Sequence, residues 1–230
     1  MKILTLGLWA FGFAINKLLW ENNPEKIFYS FELNPEIINS IKNNRSHPFF
    51  FDWYYLPKNI ELLDNYDEII SEVDMIILAM PAQYIQQSIE SISSKIKNNV
   101  VILNLAKWID IHNNKTISQL LDISLSGINY NYAVLSWWMI AAEVVEWKQL
   151  WADLGINNYE IGNIIKWYLM NDKFQVELRK DILNIELYWS LKNIMAIIVW
   201  IEEGKGNNAS TVWFKLTKFY SEMKEIIWEY

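Results

Sequence analysis

Two glycines frame the segment of this chain whose residue types and spacing come nearest to a binding chemistry: Gly7-Leu8-Trp9-Ala10-Phe11-Gly12. The frame is G-x-G-x-x-G with tryptophan at the second glycine position. When such a frame ends a strand and opens a helix, its first glycine makes the turn. The second lets the backbone approach a pyrophosphate, and the third lets helix and strand pack closely. The phosphates then meet the helix N-terminus. Glu32 follows 20 residues after Gly12. A carboxylate there can accept from ribose hydroxyls and repels a 2′-phosphate, which favours NAD over NADP. An indole at position 9 would stand in the space meant for the pyrophosphate. An ordinary strand–turn–helix with a surface glutamate accounts for the same residues, so on this segment alone both readings stay open.

Other chemistries lack their residues. The chain has 230 residues and no cysteine, so neither a disulfide framework nor a thiolate nucleophile is available. A reducing cytoplasm fits. Two histidines, His47 and His112, do not make a histidine-rich metal site, and both are expected in loops without a role. A net charge of −7 argues against nucleic acid as the main partner. No uninterrupted apolar run reaches the roughly 18 residues of a membrane span. The apolar N-terminus could pass for a signal peptide, but Gly7 and Gly12 sit where a nucleotide fold wants them.

The elements that would position these residues alternate. Strands are expected at 2–6, 26–31, 59–63, 74–80, 99–103 and 132–135. Between them come helices over 12–21, 35–42 and from Pro81 to about 96, with a helical turn or two over 66–72. Such alternation predicts an α/β fold with a doubly wound, Rossmann-type parallel sheet. From about residue 181 the apolar spacing becomes helical: one helix to about 203, a turn at Gly204-Lys205-Gly206, then another helix from Ala209. The expected division is a dinucleotide-binding domain over 1–180 and the start of an incomplete, all-helical substrate and dimerisation domain over 181–230.

Three later segments carry a resemblance. Leu105-Ala106-Lys107-Trp108 resembles L-A-K-G, and the segment from Leu135 to Val144 resembles L-S-G-P-S-F-A-x-E-V. The stretch from Ile185 to Ile197 resembles V-E-L-G-G-A-L-K-N-V-I-A-I, and Ser221-Glu222-Met223 sits where an A-E-M helix falls. Together, and colinear from residue 1 to about 225, these are similar to the NAD(P)-dependent glycerol-3-phosphate dehydrogenases. The resemblance implies reversible hydride transfer between the nicotinamide of NAD (or NADP) and carbon 2 of the dihydroxyacetone phosphate/glycerol 3-phosphate pair, serving phospholipid synthesis. It implies Lys192 as acid/base, with burial on an apolar helix lowering its pKa. Asn193 would hydrogen-bond the substrate, and Lys107 would stand near both substrate and nicotinamide. Position 137 would offer a backbone N–H, Ala10 and Phe11 would line the dinucleotide, and Ala141 would pack against it. Met139 replaces a family Ser or Thr. Glu32 departs from the basic residue of many relatives, which puts NADP use in doubt.

The departures form a pattern. There are 13 tryptophans and only 7 glycines, where an average chain would have roughly 16 glycines. Tryptophan stands at family-glycine positions 9, 108, 137, 147, 189 and 200. This predicts glycine codons of the form TGA translated as tryptophan; thirteen added to seven gives 20, near the usual share. Indoles are then expected to crowd the nucleotide cleft. The chain also stops short of the family's usual length. The absent part holds a G-L-G-D-L segment and an Arg-Asn pair that grips the substrate phosphate, so little activity is expected of this stretch alone. Competing readings are a ketopantoate reductase-like or other hydroxy-acid dehydrogenase, and a non-catalytic nucleotide-binding remnant.

Overall fold

The computed structural model describes residues 1–106, 115–136 and 140–229. Eight strands form one sheet in the order β3-β2-β1-β4-β5-β6-β7-β8. They are β1 (Ile3–Leu6), β2 (Phe28–Phe31), β3 (Ile60–Leu62), β4 (Met75–Leu78), β5 (Val100–Asn104), β6 (Tyr130–Ser136), β7 (Leu150–Ile156) and β8 (Phe174–Arg179). Strands β1 to β6 run parallel, as the alternating pattern predicts. The expectation of a wholly parallel sheet needs one correction. β7 is antiparallel to β6, and β8 runs parallel to β7.

The described residues also form eight α-helices: α1 (Ala10–Asn22), α2 (Pro35–Asn44), α3 (Ile85–Ile92), α4 (Ile117–Ser124), α5 (Ala141–Val145), α6 (Tyr159–Leu169), α7 (Ile182–Gly204) and α8 (Ala209–Glu229). The central strands are apolar on both faces because both faces are covered. In β4, Met75 and Ile77 join a core with α1, α2 and α6, while Ile76 and Leu78 join a second core with α3 and α4. Successive side chains point to opposite faces.

Local signals set the helix starts. Asn34 accepts from Glu36 N–H at 2.9 Å ahead of Pro35, the favoured first residue. Thr116 and Gln119 form a reciprocal capping box on α4. The helix expected from Pro81 to about 96 is shorter: a 3₁₀ turn over Ala82–Tyr84, then α3, which ends at Ile92. Ser91 and Ser93 hydroxyls donate back to the Ser88 and Glu90 carbonyls, which competes with the helix near its end.

α7 is long and apolar. One 18-residue window of it carries at most two charged residues, so length and composition suffice to cross a bilayer. Single charges at Glu186 and Lys192 interrupt the apolar residues and hide that property from a search for unbroken runs. Here α7 packs on β6, β7 and α8, and the Tyr188 and Tyr220 rings stack at 6.4 Å.

Candidate active site

The turn from β1 into α1 has room only for glycine at its two ends. Gly7 sits at φ +94°, and a Cβ there would lie 2.8 Å from the Ala79 carbonyl oxygen. At Gly12 a Cβ would lie 2.1 Å from the Gly7 oxygen. These are the turn-making and close-packing positions of the frame. Trp9 is the N-cap residue and offers no side-chain cap, and the first turn of α1, with Ala10 and Phe11, holds no acidic residue. Among the described residues the first N–H groups of α1 therefore have no side-chain cap, an arrangement that suits an anion. A tight turn whose two ends admit only glycine, beside an uncapped helix N-terminus, fits a dinucleotide pyrophosphate.

Trp9 stands against an aromatic cluster. Its ring packs against His47, Phe49 and Phe50 at centroid distances of 5.9, 5.6 and 5.4 Å, and it remains 47% exposed. His47 lies in a loop as expected but is buried, and its Nδ1 accepts from the Phe49 N–H. Burial pushes its pKa down. The turn thus has an aromatic wall that sequence reasoning missed; the run His47-Pro48-Phe49-Phe50-Phe51 was the signal for it.

Glu32 lies at the end of β2 and binds the turn directly. Its Oε2 accepts from Leu8 N–H at 2.6 Å, and its Oε1 accepts from Leu33 and Asn34 N–H at 2.7 and 2.9 Å. Each oxygen has two lone pairs, so acceptor capacity is left for a hydroxyl. Ala141 opens α5, which packs on α1, and with Phe11 it borders the core on that side. Gly7, Trp9, Ala10, Phe11, Gly12 and Glu32 thus come together at one turn, with Ala141 on the helix beside α1.

Lys192 lines a cavity of about 530 Å³ bounded by Ser136, Asp153, Arg179, Tyr188 and Tyr220 among others. Its Nζ stands 3.9 Å from the centre of the Trp189 ring. Lys192 and Asn193 are each half-buried. Arg179 is held at the same cavity by Asp153 at 2.9 Å and Glu177 at 2.6 Å. Lys107, Trp137 and Met139 lie outside the described residues, as do Trp108 and His112. Sequence reasoning also missed a buried acid on α7, Glu186, and a buried cation on α1. That cation, Lys17, pairs with Glu21, and its Nζ lies 5.2 Å from the Tyr54 ring centre and 4.5 Å from that of Trp147. A charged residue inside an otherwise apolar helical stretch was the available signal for each.

Of the ten described tryptophans, eight are exposed: Trp9, Trp53, Trp147, Trp151, Trp167, Trp200, Trp213 and Trp228. Tryptophan is ordinarily buried to a large extent. Trp147 has φ +58°, the left-handed region that favours glycine.

A family model described as the N-terminus of NAD-dependent glycerol-3-phosphate dehydrogenase matches residues 2–160. A protein of Fusobacterium nucleatum named glycerol-3-phosphate dehydrogenase (NAD(P)+) is 26% identical over 226 residues, which cover 98% of this chain and 67% of the relative. One of the same name from Staphylococcus carnosus is 27% identical over 206 residues, covering 89% of this chain and 61% of the relative. The chain thus spans about two thirds of the length of these curated relatives. Among solved structures, glycerol-3-phosphate dehydrogenase from Coxiella burnetii superposes with a TM-score of 0.89 at 19% identity, over 98% of this chain and 68% of that one. The fold is shared with it.

Proposed function

Because the chain belongs to the NAD-dependent glycerol-3-phosphate dehydrogenase family, we propose that its protein interconverts dihydroxyacetone phosphate and sn-glycerol 3-phosphate with NADH or NADPH. The product would feed phospholipid synthesis in the cytoplasm. The observation that carries this reading is the pairing of a turn that admits only glycine at its ends and leads into an uncapped helix with a lysine-bearing cavity at the carboxyl end of β6, on the same edge of the sheet.

When bound, the nicotinamide supplies or takes the hydride at carbon 2. Residues of this chain supply the rest. As hydride reaches carbon 2 the carbonyl oxygen gains charge, and Lys192 Nζ stabilises that oxygen and gives it a proton. In the reverse direction the neutral amine takes the proton back. Asn193 and Lys107 orient the substrate, position 137 adds a backbone N–H, and Met139 removes a hydrogen bond that relatives make there. Gly7, Gly12, Ala10 and Phe11 form the bed for the dinucleotide, with position 9 above it and Ala141 beside it. Glu32 accepts from the adenosine ribose, which favours NAD. Residues 1–180 serve as the dinucleotide domain. Residues 181–230 begin a helical domain for substrate binding and homodimer formation.

One observation favours a second reading, a nucleotide-binding remnant without turnover: the Trp189 ring occupies the space next to Lys192 Nζ. Reading the thirteen tryptophans as glycine codons removes that obstacle. It is supported by the exposure of eight indoles and by the left-handed backbone at Trp147. The deciding experiment follows NADH consumption with dihydroxyacetone phosphate, ketopantoate and 2-keto acids, using full-length protein with tryptophan and with glycine at positions 9, 108, 137, 147, 189 and 200. Turnover confined to dihydroxyacetone phosphate supports the proposal. NADH binding without turnover in both proteins supports the remnant.

A further inference from the structure

We propose that Glu186 is a positioning residue for Lys192: its buried carboxylate docks α7 onto the carboxyl end of β5 and the N-terminus of α4. The inference rests on the reading of Lys192 as acid/base given above.

Glu186 is only 5% exposed. A carboxylate at that depth is costly unless it is hydrogen-bonded. Among the described residues no lysine or arginine pairs with it; its partners are hydrogen-bond donors on two other elements. Its Oε1 accepts from Ser118 N–H at 3.1 Å, and its Oε2 accepts from the Ser118 hydroxyl at 2.5 Å. Both donors lie in the first turn of α4, where the helix dipole favours a negative charge. The Tyr132 hydroxyl on β6 donates to Oε1 as well. That hydroxyl accepts from Asn104 Nδ2 at 3.0 Å, and Asn104 Oδ1 accepts from Ala106 N–H at 2.9 Å. One acid therefore gathers the end of β5, the strand β6 and the start of α4.

Its place on α7 gives this clamp a consequence. Lys192 follows six residues later on the same continuous helix, about 9 Å along the axis. The helix is a rigid arm, so a shift of its N-terminal third is passed to the amine. Ala106, at the other end of the clamp, directly precedes Lys107 in the chain. A packing residue at 186 would fill space equally well. A carboxylate is needed to specify the register of α7 against three polar groups at once, since hydrogen bonds are directional where apolar contacts are not.

The test uses full-length protein with E186Q and Y132F. E186Q keeps the shape and removes the charge; Y132F removes one donor to the carboxylate and with it the link to Asn104, and leaves both Ser118 donors in place. The expected result for E186Q is a fall in kcat with dihydroxyacetone phosphate on the order of 10²-fold, the scale of an ångström-sized misplacement. Y132F should show a smaller fall in the same direction. In both, KM for NADH and the thermal midpoint should stay near the parent's, and amide exchange at Ala106 and Ser118 should quicken. Unchanged kcat in both variants overturns the inference. So does a loss of activity that follows only a parallel loss of NADH binding and melting temperature. A parent that fails to turn over dihydroxyacetone phosphate overturns the functional reading and with it the catalytic half of this one. Amide exchange then still decides whether the clamp exists.

Discussion

Single residues carry the site, and the contacts around each set what its replacement should do. K192M removes the only proton donor assigned to the carbonyl oxygen. It should lower kcat by 10²-fold or more while leaving the NADH dissociation constant unchanged, measured by steady-state kinetics beside fluorescence titration. At the turn, W9G removes an indole from the second glycine position and lets backbone approach the pyrophosphate. NADH should bind more tightly in a direct titration; equal or weaker binding would mean that the ring, leaning on His47, Phe49 and Phe50, never obstructed the cradle. The frame and the distance to Glu32 were legible in the sequence because a turn of this kind admits few residue types. The aromatic wall was not, because His47 meets Trp9 through a loop whose path no local rule sets.

At the scale of elements, the strands of the parallel half announced themselves through short, mainly apolar runs between turn residues. β7 and β8 were unread, although Leu150, Ala152 and Leu154 alternate with outward residues, and so do Phe174 and Val176. α6 was unread too. Its start has a clear cap: Asn158 Oδ1 accepts from Glu160 and Ile161 N–H at 3.1 and 3.3 Å. N158A should cost about 1 kcal/mol, read by chemical denaturation. The contact between α7 and α4 is sensitive to pH. Burial raises the Glu186 pKa above 4.5 despite its hydrogen bonds. A raised carboxylate pKa means that the folded chain holds the proton to higher pH than the unfolded chain. The resulting stability is present below pH 4.5 and is lost as pH rises through the folded-state value. E186Q should flatten that decline in denaturation curves measured from about pH 4.5 upward. An unaltered slope would place the titration elsewhere.

At the scale of the whole molecule, the excess of tryptophan over glycine was a sequence fact whose meaning depended on the fold. A chain that used 13 indoles for packing would bury them; here eight of the ten described stand in solvent, and one occupies left-handed backbone. The expectation for protein isolated from its own cells is an intact mass for this stretch below the 27.4 kDa of the written sequence, and TGA at the thirteen positions. TGG codons and the full mass would end the idea. By itself the sequence determined the parallel α/β half, the two obligatory glycines at the turn and the lysine-bearing helix. These follow from periodicity and from residue types that tolerate no substitute. Only the tertiary structure decided the antiparallel turn-back of β7 and the joining of three elements by Glu186. Those depend on groups up to 68 residues apart meeting in space, and no local pattern of hydropathy or spacing encodes which distant partner a buried polar group will find.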